Sequence, residues 1–216
     1  MGNLITTEQL AKICAKNKDI KRLAYVAGVI NKICPLYGIN NADILHEFLA
    51  NILEECGEFT VFEENLNYSA KRLTEVWPTR FPTLDGAKPF EFNPKKLAYK
   101  VYGQRPSLGN ITDQDGWDFR GSGPIQITGR NNITLFASYM RKRFNDVKTV
   151  QQWAELLRTD IEYGMHSACW IFAISFKLID EAVNDEMGKI IKRINGGTTN
   201  SARRMKYYEL CKQIIK

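Results

Sequence analysis

ADILHEFLANILEECGEFTVFEENLNYSA, residues 42–70, is the stretch on which the reading of this chain turns. Ile44, Leu45, Phe48, Leu49, Ile52, Leu53 and Cys56 recur at the spacings of one helical face. They predict an amphipathic helix with Asp43 as N-cap and an end at Gly57. At about 100° per residue from Ile44, Phe48 falls near ~40°, Ile52 near ~80° and Cys56 near ~120°, and Glu55, near ~20°, lies inside that apolar stripe. Glu47 and Glu54 fall near ~300° and ~280°, off the stripe. A carboxylate among the apolar residues of its own helix has to be paired or held partly protonated, because desolvation disfavours the charged form. Glu54 carries no such demand.

Glu63 and Glu64 follow just past the expected helix end. In an unbroken helix Glu64 would sit about ~180° around and about ~13.5 Å along the axis from Glu55, too far for joint chemistry. A break at Gly57 and a returning loop let the two face one another across a cleft, and an inverting glycosidase sets its acid and base carboxyls roughly 6.5–9.5 Å apart with a water between them. The competing reading makes Glu55 a cap or a core ion pair and leaves Glu63 and Glu64 as solvated loop charges, since structural ion pairs imitate sites.

The chain has 216 residues, 44% hydrophobic and 25% charged, which suits one globular domain over residues 1–216. No apolar run approaches the roughly 20 residues of a membrane span, and MGNLITTEQLAK at the N-terminus lacks the regions of a signal peptide. Synthesis in the cytoplasm without stable membrane insertion is expected. The five cysteines are scattered and include no CxxC pair, so they read as buried, reduced thiols. A net charge of +6 fits a polyanionic partner: nucleic acid, an anionic membrane surface or a cell wall rich in phosphate and carboxylate. The basic residues are interspersed with acids and no helix-turn-helix, zinc-finger or RRM signature is present, so no nucleic-acid partner is expected.

His46 and His166 have no partner at metal-ligand spacing, and Asp113-x-Asp115-Gly116 lacks the later glutamate of a calcium loop. Gly121-Ser122-Gly123 has neither the third glycine of a dinucleotide loop nor the lysine of a phosphate loop. Neither metal nor cofactor is expected.

Helices are predicted from Thr6 or Thr7, from Asp19 to Ile33, from Ser69 through Val76, and from Asn93 with Pro94 as first residue. Residues 78–94 hold four prolines and read as an irregular loop, and residues 103–129 as a glycine-rich one. Ile125 and Ile127 alternating with Gln126 and Thr128 suggest a short strand with those two polar side chains on one face. From Thr149 onward helices return: a long apolar one over 161–183, an amphipathic one to Ile194, and a basic one over 202–215. The expected architecture is mainly α, with glycine-rich loops and at most a small β element around a cleft.

Four blocks together resemble the family 19 glycoside hydrolases, more closely the endolysin-like branch of phages and bacteria than the plant chitinases. FLANILEECGEF (48–59) is similar to the helix of the general acid, and EENLNYSAKRL (63–73) to the block of the base. DGWDFRGSGPIQITGRNN (115–132) is similar to the substrate-binding signature, and INGG (194–197) with a later arginine to the closing motif. The resemblance implies a lysozyme-like α-helical fold, Glu55 as general acid, Glu64 as base, Thr128 in the water-positioning slot, and Tyr68, Gln126, Asn132 and Asn195 along the sugar. Arg204, with Tyr208 one turn later, is favoured over Arg203 as the arginine near the acid. Glu54, Cys56 and Ser122 depart from the family pattern, which usually has histidine, serine or threonine, and arginine in those slots.

A monomeric endolysin-type peptidoglycan hydrolase without a separate wall-binding domain is the leading expectation, reaching its wall through a helper pore. A chitinase acting on β-1,4-linked N-acetylglucosamine is the nearest rival. A lytic transglycosylase, needing one glutamate only, and a catalytically silent glycan-binding protein are the further alternatives.

Overall fold

The computed structural model describes residues 2–197 and 200–216, apart from the side chain of Asn195. Thirteen α-helices are present among the described residues: α1 (Thr7–Ile13), α2 (Ile20–Ile33), α3 (Ala42–Glu55), α4 (Ala70–Val76), α5 (Leu84–Ala87), α6 (Pro94–Tyr102) and α7 (Asp113–Asp118). The rest are α8 (Arg130–Phe144), α9 (Val150–Thr159), α10 (Ile161–Cys169), α11 (Ile179–Val183), α12 (Met187–Asn195) and α13 (Ser201–Ile214). The fold is mainly α, of the lysozyme-like class, and its β structure among the described residues is confined to isolated bridges joining Glu63 to Ser122 and Ser122 to Ile127.

Local chemistry places most helix starts where the sequence does. Thr6 closes a capping box with Gln9, and the side chains of Asp19, Ser69 and Asn93 accept from Arg22, Arg72 and Lys96 N–H. The start of α3 differs. Asn41 is its N-cap, accepting from Ile44 N–H, and Asp43 sits in the first turn, where its charge favours the helix dipole instead. The long helix expected over 161–183 is interrupted: α10 passes into a π-helical segment at Trp170–Ser175, and Lys177 at φ +53° turns the chain before α11. The proline-rich loop carries the short α5, capped by Thr83.

The chain forms two compact units. One comprises residues 1–62, 123–126 and 156–216, the other 63–122 and 127–155. In the first, α3 is the central element, packed by α11, α12 and α13, while α2 packs α1 and α10. Ile44, Leu45, Phe48, Leu49, Ile52 and Leu53 are all buried, each worth about 1.5–3 kcal/mol, and Phe48 meets Phe172 edge to face at 5.4 Å. Because α13 covers the flank that α3 alone would leave polar, Glu47 and Asn51 are buried as well. All five cysteines are free and buried, and both histidines are structural: His46 meets Ile215 O and His166 meets Tyr37 Oη.

In the second unit, α4, α5 and α6 enclose Leu66, Leu73, Phe81, Leu97 and Val101, and α6 lies against α7. A Cβ at Gly116 would come within 2.4 Å of Ala98 O, so the approach of these two helices requires glycine. Phe136 of α8 packs edge to face on Trp153.

Candidate active site

Glu55 is the last residue of α3 and its Oε1 accepts from Arg204 Nη2 on α13. Arg204 is 1% exposed, and its Nη1 donates to both the carbonyl and the side-chain oxygen of Asn51, one turn before Glu55. Asn51 in turn donates to Glu47 O. A buried guanidinium is thus held by α3 itself and grips one oxygen of Glu55, leaving Oε2 without a hydrogen bond among the described residues. Of the two candidate arginines Arg204 is the one paired with Glu55; Arg203, largely exposed, pairs with Glu54.

The helical-wheel expectation for these glutamates is corrected. The Glu55 side chain is 32% exposed and that of Glu54 only 10%. Periodicity measures a helix against its own apolar face, but α13 and the turn after Gly57 close over the Glu54 side, and Glu55 emerges at the helix end. The departures at Cys56 and Ser122 have local explanations. Cys56 Sγ accepts from Phe59 N–H, a bond a serine or threonine hydroxyl would also make, and burial pushes its thiol up to about 12. Ser122 is fully buried, exchanges backbone bonds with Ile127, and turns its hydroxyl to Arg120 O.

The second unit holds Glu64. Its Oε1 accepts from Tyr102 Oη at 2.7 Å and its Oε2 from Gly121 N–H at 3.1 Å, while its own N–H donates to Gly121 O. Glu63 accepts from Arg120 Nε at 2.8 Å and Nη2 at 2.5 Å, and the Arg120 guanidinium lies 3.7 Å from the Trp117 ring centre. The adjacent glutamates are therefore separated by function: Glu63 is an ion-pair anchor, and Glu64 is an acceptor fixed by neutral donors. Tyr68 lies close enough that burial, and after it the Glu64 charge, raises its phenol above the ordinary value. The same two causes raise Tyr102.

The remaining expected residues are less tightly grouped. Asn132 donates its amide to Thr128 O at 2.9 Å, so the two are linked at the start of α8. Gln126 and Thr128 do not share a strand face: Gln126 is left-handed at φ +57° and bonds back to Gly123 O, because residues 123–126 form a turn. The backbone of Asn195 ends α12, and its side chain, the expected sugar contact, lies outside the described residues. Glu55, Gln126 and Arg204 belong to the first unit, and Glu64, Tyr68, Thr128 and Asn132 to the second. The sequence reading missed Tyr102, Arg120 and Asn51; only the glycine-rich setting of Arg120 signalled anything.

Asp115, the fragment that looks like part of a calcium loop, is structural. Burial opposes its ionisation, but Arg130 and the N–H groups of Ile111 and Thr112 outweigh that and lower it to about 2. No group of three or more potential metal ligands occurs among the described residues. No described helix is long and apolar enough to cross a membrane.

The first unit thus carries a carboxyl anchored by an arginine, and the second unit carries one anchored by a phenol and a backbone amide. No family model matches the chain. A protein of Haemophilus influenzae described as glycosyl hydrolase family 19 domain-containing is 32% identical over 161 residues, 74% of this chain and 74% of that protein. The chain belongs to glycosyl hydrolase family 19, and at that level it is a glycoside hydrolase.

Proposed function

We propose that this protein is an endolysin-type peptidoglycan hydrolase that cleaves β-1,4 glycosidic bonds with inversion. Glu55 is the general acid: Arg204 holds Oε1 in place, so the transferable proton resides on the unbonded Oε2. Glu64 is the base, its two oxygens oriented by Tyr102 and Gly121, and Thr128 helps to place the attacking water. Tyr68, Gln126, Asn132, Asn195 and Arg204 contribute substrate contacts or hold those that do.

The observation that carries the reading is the Arg204–Glu55 pair at the end of α3 in a family 19 chain. The net charge of +6 favours an anionic wall over neutral chitin, which is the second reading. The enzyme acts as a monomer, without metal or cofactor, after cytoplasmic synthesis and passage through a pore made by another protein.

Mass and proton NMR analysis of products from purified walls tests all of this at once. Reducing ends that first appear as the α-anomer support inverting hydrolysis. Anhydro-sugar ends would replace it with lytic transglycosylation, and turnover of chitin oligomers but not of walls would make the protein a chitinase.

A further inference from the structure

Beside α13, the ends of α1 and α3 and the turn after α3 line a cavity of about 350 Å³ in the first unit, with Ile13, Lys16, Glu54, Glu58, Tyr207 and Leu210 among its residues. Its acids are already engaged. Glu54 pairs with Arg203, and Glu58, 3% exposed, accepts from Lys16 N–H, Asn17 N–H and Tyr207 Oη. Glu58 has a left-handed backbone, φ +57°, a conformation costly for a residue with a side chain, and its bonds to residues 16 and 17 fix the cavity floor. Two further lining residues, Lys16 and Lys206, are exposed and form no ion pair among the described residues. The cavity therefore offers an apolar wall of Ile13, Tyr207 and Leu210 together with two exposed, unpaired lysines.

That combination selects against an uncharged sugar, which has no anion for the lysines, and for a short peptide with carboxylates and small aliphatic side chains. Glu54, on the cavity wall, directly precedes Glu55 in α3, and a stem of three to five residues reaches roughly 10–17 Å when extended. We propose that this cavity is a subsite for the acidic, alanine-containing peptide that peptidoglycan carries on its lactyl group and chitin lacks. The proposal rests on the peptidoglycan reading above and supplies its specificity: the glycan is cut at Glu55 while the attached peptide is read by Lys16 and Lys206.

The test uses the full chain and three substrates: intact peptidoglycan, the same glycan strands stripped of peptide by an amidase, and chitin oligomers. The K16A/K206A variant alters two lysines outside the carboxylate site, and its melting temperature is checked first against the parent. A selective fall of roughly tenfold in kcat/KM on intact peptidoglycan, with stripped strands cut at the parental rate, is expected from losing two surface charge contacts. An unchanged rate on intact walls, or an equal fall on stripped strands, overturns the peptide subsite while leaving the hydrolase reading in place. A parent protein that cuts chitin oligomers and neither wall substrate overturns the peptidoglycan reading, and the subsite's occupant with it.

Discussion

Replacing Glu47 by glutamine should change how stability depends on pH. Glu47 is fully buried in α3 beside Ala50, Met187 and Tyr208, and neither of its carboxyl oxygens has a hydrogen-bond partner among the described residues. Burial, and after it the negative charge of Asp185, raises its pKa from 4.5 to about 8, against smaller opposing effects of Lys212 and Tyr208. Below pH 4.5 the carboxyl is protonated whether the chain is folded or unfolded, and its protonation-linked stability is fully present. As pH climbs toward 8 the unfolded chain releases a proton that the folded one retains, so stability falls by up to about 1.4 kcal/mol per pH unit. Across the whole interval that is about 4–5 kcal/mol as a ceiling, and above pH 8 the loss levels off. Glutamine keeps the shape and removes the titration. Urea unfolding of parent and Glu47→Gln at pH 5, 6, 7 and 8 should show a difference in unfolding free energy that grows in favour of the variant by several kcal/mol. Parallel curves would mean that Glu47 is ionised and paired in the folded state, and the account of this helix seam would be wrong.

Other outcomes follow from the site. Glu55→Gln should keep its melting temperature within a few degrees and lose turbidity-reducing activity on wall suspensions by at least about a hundredfold, in line with a missing general acid; parental lysis would remove Glu55 from the mechanism. Glu64→Gln should be comparably inactive, whereas retained cleavage with anhydro ends would point to a one-glutamate reaction. Tyr102→Phe takes the donor from Glu64 Oε1 and should lower kcat by roughly tenfold in the same turbidity assay with the melting temperature nearly kept, whereas an unchanged kcat would show that this bond does not orient the base. Gly123→Ala should destabilise by about 1–3 kcal/mol in thermal or urea melts, because the residue is left-handed at φ +77° and the new Cβ would meet Ser167 Oγ at 2.7 Å.

The parts of the structure governed by neighbours in the chain were readable in advance. Thr6, Asp19, Ser69 and Asn93 cap their helices because a side-chain oxygen needs only an N–H two or three residues on. The break at Gly57 was equally legible, as a glycine after a periodic apolar run, and the residue there is left-handed at φ +53°. The strand expected at Gln126 was not formed, since alternation over four residues is weak beside the turn chemistry of Gly123 and Pro124.

By itself, then, the sequence determined a mainly α chain, buried reduced cysteines, and the presence of two glutamate pairs in a family 19 pattern. Tertiary structure decided which donor each glutamate meets: Glu55 and Arg204, a pairing the family resemblance only favoured, stand 149 residues apart, and Glu64 and Tyr102 stand 38 apart. It also decided that Glu47 is buried and Glu55 partly exposed, the reverse of what a wheel drawn on α3 implies. The physical reason is that periodicity describes how one helix divides its own residues, while desolvation and charge pairing are set by whatever α13 and the loops bring against it.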